Sequence, residues 1–127
     1  MRRAARGLVL ALFAVVLACG VGAPSASDVD AQHVLAFAGR TGAPLVLDVR
    51  SAEEFATGHV PGARKVSFDQ VASRLGELGP PGDVVVYCER GPRASKAAAV
   101  LRGAGFTVRH LAGDMSGWRA QGLPIER

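Results

Sequence analysis

Hydrophobic and polar positions along this chain follow two rhythms, one helical and one extended. Val34, Leu35 and Ala38 share one face of a helix that Gly39 can end. Residues 45–49 form an apolar run broken only by Asp48, which suits a buried strand. Ser51 and Glu54 stand at capping-box spacing, so a short helix should begin there. Gly58-His59-Val60-Pro61-Gly62 is turn chemistry, and a short strand over 64–68 follows. Residues 69–78 place Val71, Leu75 and Leu78 on one helical face, with Gly79-Pro80-Pro81-Gly82 stopping the helix. Val84-Val85-Val86-Tyr87 is the clearest strand, rich in β-branched residues. A glycine-containing loop then leads into an alanine-rich helix over 94–102. Residues 106–111 form a last strand, and 116–121 a last short helix around Trp118. Strands alternating with helices at this spacing predict an α/β fold, a parallel sheet covered on both faces.

The N-terminus keeps neither rhythm. Residues 1–6 carry three arginines and no acid, and residues 7–18 are continuously apolar or small. A basic stretch followed by a short apolar one is the layout of a secretory signal. A spanning helix needs roughly 20 residues, more than this run offers. Export to the periplasm is therefore the expectation. Two endings of the signal stay open. Val16-Leu17-Ala18-Cys19 is similar to a bacterial lipobox, which would make Cys19 a lipidated anchor in the membrane. Ordinary cleavage among the small residues 22–27 is the alternative. The expected organisation is a signal over 1–18, a small and polar tether over 19–29, and one domain over 30–127.

Charge and cysteine usage narrow the function. The formal charge of +4 includes Arg2, Arg3 and Arg6; without them twelve basic residues face eleven acidic ones, a balance of +1. A nucleic-acid binder needs a dense basic face, so nucleic acid is not an expected partner. The two cysteines are Cys19 and Cys88. With Cys19 lipidated or removed, Cys88 has no partner for an intramolecular disulfide, and cysteine-cluster metal sites are excluded. No cofactor is expected.

Cys88 ends a strand and precedes the loop Glu89-Arg90-Gly91-Pro92-Arg93 and a helix. Ligand sites of parallel sheets lie outside the carboxyl ends of strands. Loop N–H groups and the positive end of the helix can converge on the sulfur there, favouring the thiolate and holding a persulfide. Arg90 and Arg93 bring positive charge suited to an anionic donor. Pro92 removes one N–H, and Glu89 opposes thiolate formation unless its carboxylate turns away. An inert buried thiol is the other reading of the same pattern.

Motifs elsewhere weigh on that choice. Asp48-Val49-Arg50 with Glu54-Phe55, then Gly58-His59-Val60-Pro61-Gly62-Ala63, resembles the paired signature of the rhodanese family. Cys88 to Arg93 resembles that family's C-x-x-G-x-R loop, and Leu111-Ala112-Gly113, Trp118 and Gly122-Leu123-Pro124 resemble its C-terminal pattern. The resemblance covers residues 30–125 and implies a five-stranded parallel sheet with helices on both faces. It implies a sulfurtransferase in which Cys88 takes sulfane sulfur from a small anionic, thiosulfate-like donor and passes it to a thiol or cyanide. Arg93 would then bind the donor's anionic end, and Glu89, Arg90 and Gly91 would contribute loop N–H groups. Asp48, Arg50 and His59 read as scaffold, with Arg50 expected to pair with Glu53 or Glu54. Ala94 stands where the family often has a hydroxyl, and Asp114 replaces the second glycine of the usual pair. Asp114 suits left-handed backbone and helix starts. His33 and His110 have no evident partner and read as surface residues, while Trp118 reads as core. A persulfide carrier that hands sulfur to a partner protein uses the same chemistry and stays open. Phosphatase or arsenate-reductase chemistry is disfavoured, because those loops are similar to C-x5-R and this one is C-x4-R.

Overall fold

The computed structural model describes residues 28–127. The expected signal, Cys19 and the tether as far as residue 27 lie outside the described residues. The elements in chain order are β1 (Asp28–Val29), α1 (Ala31–Phe37), β2 (Leu45–Asp48), α2 (Ala52–Thr57) and β3 (Arg64–Lys65). A 3₁₀ segment (Ala72–Leu78), β4 (Asp83–Tyr87), α3 (Pro92–Gly103), β5 (Thr107–Leu111) and α4 (Asp114–Ala120) follow. Among the described residues the five strands form one sheet in the order β1-β5-β4-β2-β3, and every pairing is parallel.

The period-2 geometry of strands divides the core in two. Val84, Val86 and Cys88 face Ala94, Ala97, Ala98 and Leu101 of α3, together with Leu47, Val49 and Val71. Val85 and Tyr87 point the other way, against Val34, Leu111, Met115 and Trp118. Both faces of β4 are therefore covered, which is why its sequence is a continuous apolar run. Each fully buried valine stabilises the fold by about 1.5–3 kcal/mol relative to exposure. Cys88 is anchored in the same layer.

Three elements differ from the sequence expectation. Asp28 and Val29, assigned to the tether, form strand β1 at the sheet edge beside His110 and Leu111. Two residues are too few to show a period, so the pattern gave no signal. The segment 69–78 is not one α-helix. It is two short turns joined across a kink at Arg74 (φ −116°, ψ 16°). The strand over 64–68 shortens to two residues, although Val66 and Phe68 still donate to the carbonyls of Asp48 and Val49. The helix after Ser51 matches expectation, with both capping-box bonds present.

Candidate active site

β2 runs toward β3 at one edge and β4 toward β5 on the other side, so the loops after β2 and β4 leave the sheet at its switch point. Cys88 sits there, directly after β4. Gly91 caps α3 at φ 123°, a conformation that favours glycine, and this turn brings its N–H to 3.0 Å from Cys88 Sγ. Pro92 occupies the first turn of α3, where a missing N–H is harmless. Arg93 and Ala94 keep N–H groups that no carbonyl within the helix can accept from. An anion at this helix end meets free donors and the positive end of the helix dipole.

The loop closes over the sulfur rather than displaying it. Cys88 is 1% exposed, with the Gly91 N–H turned onto its sulfur. Of the N–H groups assigned to the cradle, that of Gly91 is bonded to the sulfur and those of Glu89 and Arg90 are not. Arg90 is exposed and enters no ion pair among the described residues. Ala94 is buried against α3's core, and the hydroxyl-bearing Ser95 is exposed, so neither supplies a hydroxyl to the sulfur.

Charged side chains around the loop form a network the sequence did not reveal. Contrary to the expectation of a partner in Glu53 or Glu54, Arg50 pairs with Asp48 and Glu89. Its Nε bonds both Asp48 oxygens (3.0 and 3.1 Å), Nη2 bonds Asp48 Oδ2 (2.7 Å) and the Gly58 carbonyl (2.8 Å), and Nη1 reaches Glu89 Oε2 (3.2 Å). Burial alone would lower the Arg50 pKa, but the hydrogen bonds and charge of Asp48 raise it above the ordinary guanidinium value. Arg119 of α4 grips the other side of the Glu89 carboxylate. Glu89 is thus held by two cations, which neutralises the objection that its charge opposes a thiolate.

Glu54, freed from Arg50, makes a bidentate pair with Arg93, at 2.6 and 2.9 Å. Those bonds hold the Glu54 carboxyl far below its usual range, at about 2. They also raise the Arg93 pKa, to which the charges of Cys88 and Glu89 add. The predicted donor-binding arginine is therefore close enough to feel the sulfur, yet its fork is engaged by α2. Two of its five N–H groups are used, and the others remain.

Two further residues of this region were missed or misread. Asp114 takes φ 52°, the left-handed backbone expected of a residue replacing glycine, and is buried. Its Oδ1 accepts from the Cys88 N–H (3.0 Å) and bonds His110 Nε2 (2.8 Å). His110 is therefore partnered and only 20% exposed, not a surface residue. The i,i+4 spacing of His110 and Asp114 was visible, but nothing local shows that a strand end and a helix start fold back on one another. His33 is exposed, and Trp118 is buried with Nε1 donating to the Pro124 carbonyl, as expected for each.

The model of the rhodanese-like domain matches residues 30–121, most of the chain. The chain belongs to the rhodanese-like domain family. A thiosulfate sulfurtransferase of Arabidopsis thaliana chloroplasts is 35% identical over 119 residues, covering 81% of this chain and 93% of that relative. An HTH-type transcriptional regulator of Mycobacterium tuberculosis is 37% identical over 120 residues, covering 92% of this chain. The chain spans only 52% of that regulator's length. Among solved structures, a full-length Lactobacillus plantarum protein superposes with a TM-score of 0.68 at 34% identity, covering 79% of this chain and 87% of that one. The rhodanese-like domain and its sulfurtransferase relatives support a role in sulfur transfer.

Proposed function

We propose that this rhodanese-like domain moves sulfane sulfur through a persulfide on Cys88. The observation that carries the proposal is the Gly91 N–H directed at Sγ from the start of α3, with the free first-turn amides beside it. In the first half-reaction the Cys88 thiolate attacks the outer sulfur of a thiosulfate-like donor. The S–S bond of the donor breaks, its electron pair leaves with sulfite, and Cys88 holds a persulfide anion. In the second, a thiol or cyanide attacks the outer persulfide sulfur and releases Cys88 as thiolate, so the enzyme returns unchanged. Loop amides and helix dipole act on the anionic states, where preorganised donors matter most. Arg93 attracts the dianionic donor with the N–H groups that Glu54 leaves free. The N-terminal basic and apolar pattern supports export of the domain, and the lipobox-like Val16-Leu17-Ala18-Cys19 supports anchoring through Cys19 over cleavage among residues 22–27.

Intact-mass spectrometry of the exported protein after thiosulfate treatment tests both statements. One sulfur, about 32 Da, should add to the wild type and not to Cys88→Ser. Addition that persists in Cys88→Ser refutes the role of Cys88. The same spectrum reads the mature N-terminus: a diacylated Cys19 supports the anchor, and a start within 23–28 refutes it. Subsequent loss of the sulfur to cyanide with repeated turnover marks an enzyme.

A further inference from the structure

Beside Cys88 the structure carries an acid–base pair that the reaction above does not use. Asp114 Oδ1 lies 3.0 Å from the Cys88 backbone nitrogen and 2.8 Å from His110 Nε2. Covalent geometry then puts Sγ no more than about 7 Å from a carboxylate oxygen. The other oxygen of Asp114 lies beside Gly91, 3.5 Å from where a side-chain carbon would stand on that glycine. The start of α4 also binds this stretch through its backbone, since Met115 and Ser116 donate to the carbonyls of Cys88 and Glu89. Asp114 thus binds the residue that bears the sulfur and lies near the glycine whose amide holds it.

A carboxylate in this place opposes any anion on the sulfur. An uncompensated unit charge at that range changes an ionisation equilibrium by about tenfold or more in a partly buried site. Arg93 of α3 offers the sulfur a fixed charge that Glu54 already engages, and His110 is the titratable group placed to compensate Asp114. The imidazole is fixed by β5 against Asp114 of α4, and it also faces Asp28 from β1 and Arg102 from α3. Its pKa is raised, first by the hydrogen bond to Asp114 and further by the charges of Asp114 and Asp28, against the opposing effects of burial and Arg102.

We propose that His110 and Asp114 are positioning residues that together set how readily Cys88 ionises: Asp114 holds the residue by its N–H, and protonated His110 cancels the charge that would suppress the thiolate. The proposal rests on the reading of Cys88 as the reactive sulfur. Its consequence is a thiolate titration shallower than that of a simple thiol. As pH rises and His110 loses its proton, the uncompensated Asp114 makes the remaining thiol harder to ionise.

The test is the thiolate ultraviolet absorbance of the full chain, titrated from about pH 5 to 9, with the signal of Cys88→Ser subtracted to remove Cys19. The wild-type curve should be broader than that of a single independent proton. His110→Gln keeps a donor to Asp114 without the charge. It should move the curve to higher pH, with about a threefold or greater fall in the thiolate-to-thiol ratio at pH 6.5. In an Asp114→Asn background the same His110 substitution should have a smaller effect, because the imidazole without its carboxylate partner holds its proton less tightly. Superposable wild-type and His110→Gln curves overturn the proposal, as does an undiminished His110→Gln effect on top of Asp114→Asn. Should His110→Gln fail to fold, Asp114→Asn alone decides: its curve should lie at or below the wild-type pH, and displacement to higher pH overturns the proposal. Wild-type protein that titrates as described but takes no sulfur from thiosulfate leaves this inference standing and removes the sulfur-transfer reading instead.

Discussion

Arg50 is 1% exposed and lies against Asp48, itself fully buried, and its guanidinium sits 5.8 Å from the centre of the Tyr87 ring. Five hydrogen bonds to Asp48, Gly58 and Glu89 satisfy it, and no buried side-chain polar atom among the described residues is left unpaired. Removing one member of such a pair strands the other charge. Arg50→Ala should cost about 3–5 kcal/mol in urea unfolding, with a loss below about 1 kcal/mol contradicting the assignment. Arg50→Lys keeps the charge but not the fork, and should recover only part of that loss. What was legible here is the need, since Asp48 in a strand otherwise apolar had to find a partner. Arg50 supplied it, but the outer partner Glu89 is 39 positions away. Chain separation erased that signal, and the nearer acids Glu53 and Glu54 were plausible only by proximity in sequence. The capping box at Ser51 was readable for the opposite reason, because its two bonds close within four residues.

At the scale of elements, the loop between β4 and α3 does its work through one backbone conformation. Gly91 at φ 123° points its N–H at the sulfur, and the space beside it would accept a methyl group at 3.5 Å from Asp114. Any penalty of Gly91→Ala is therefore conformational rather than steric, about 1–3 kcal/mol. The substituted loop should relax toward negative φ and turn the amide away from Sγ. Gly91→Ala should remain folded by circular dichroism yet form the persulfide at least about tenfold more slowly, an effect ascribed to one lost preorganised donor. Equal rates would show that the amide is dispensable. Strand–cysteine–loop–helix was legible because β4 is a continuous apolar run and the segment after the loop is rich in alanine, two features written locally, although α3 begins at Pro92, inside the expected loop. Elements β1 and the 3₁₀ segment were not. A two-residue edge strand has no period, and the spacing of Val71, Leu75 and Leu78 does not report the kink at Arg74 between them.

Across the whole molecule, the ionisable pairs that tie distant elements give stability a defined dependence on pH. Glu54 of α2 is held near 2 by Arg93 of α3, below its unfolded value of 4.5. Its contribution is complete above 4.5 and is lost as pH falls from there toward 2. The pair is one-third exposed, so solvent screening reduces that contribution to about 1 kcal/mol. His110 acts at the other end of the scale. Its folded pKa is raised above 6.5, so the stability it adds is complete below 6.5 and disappears as pH rises through the folded value. The two together make the domain most stable between about pH 4.5 and 6.5, the window in which Glu54 is ionised and His110 protonated. Urea unfolding across that range separates the two groups. Glu54→Gln should flatten the acid limb and leave the upper limb in place, while His110→Gln should flatten the upper limb only. An upper limb that survives in His110→Gln would show that another group titrates there. Because the same imidazole is proposed to govern Cys88, the pH at which the loss of stability levels off should coincide with the pH at which the wild-type thiolate curve departs from a single proton.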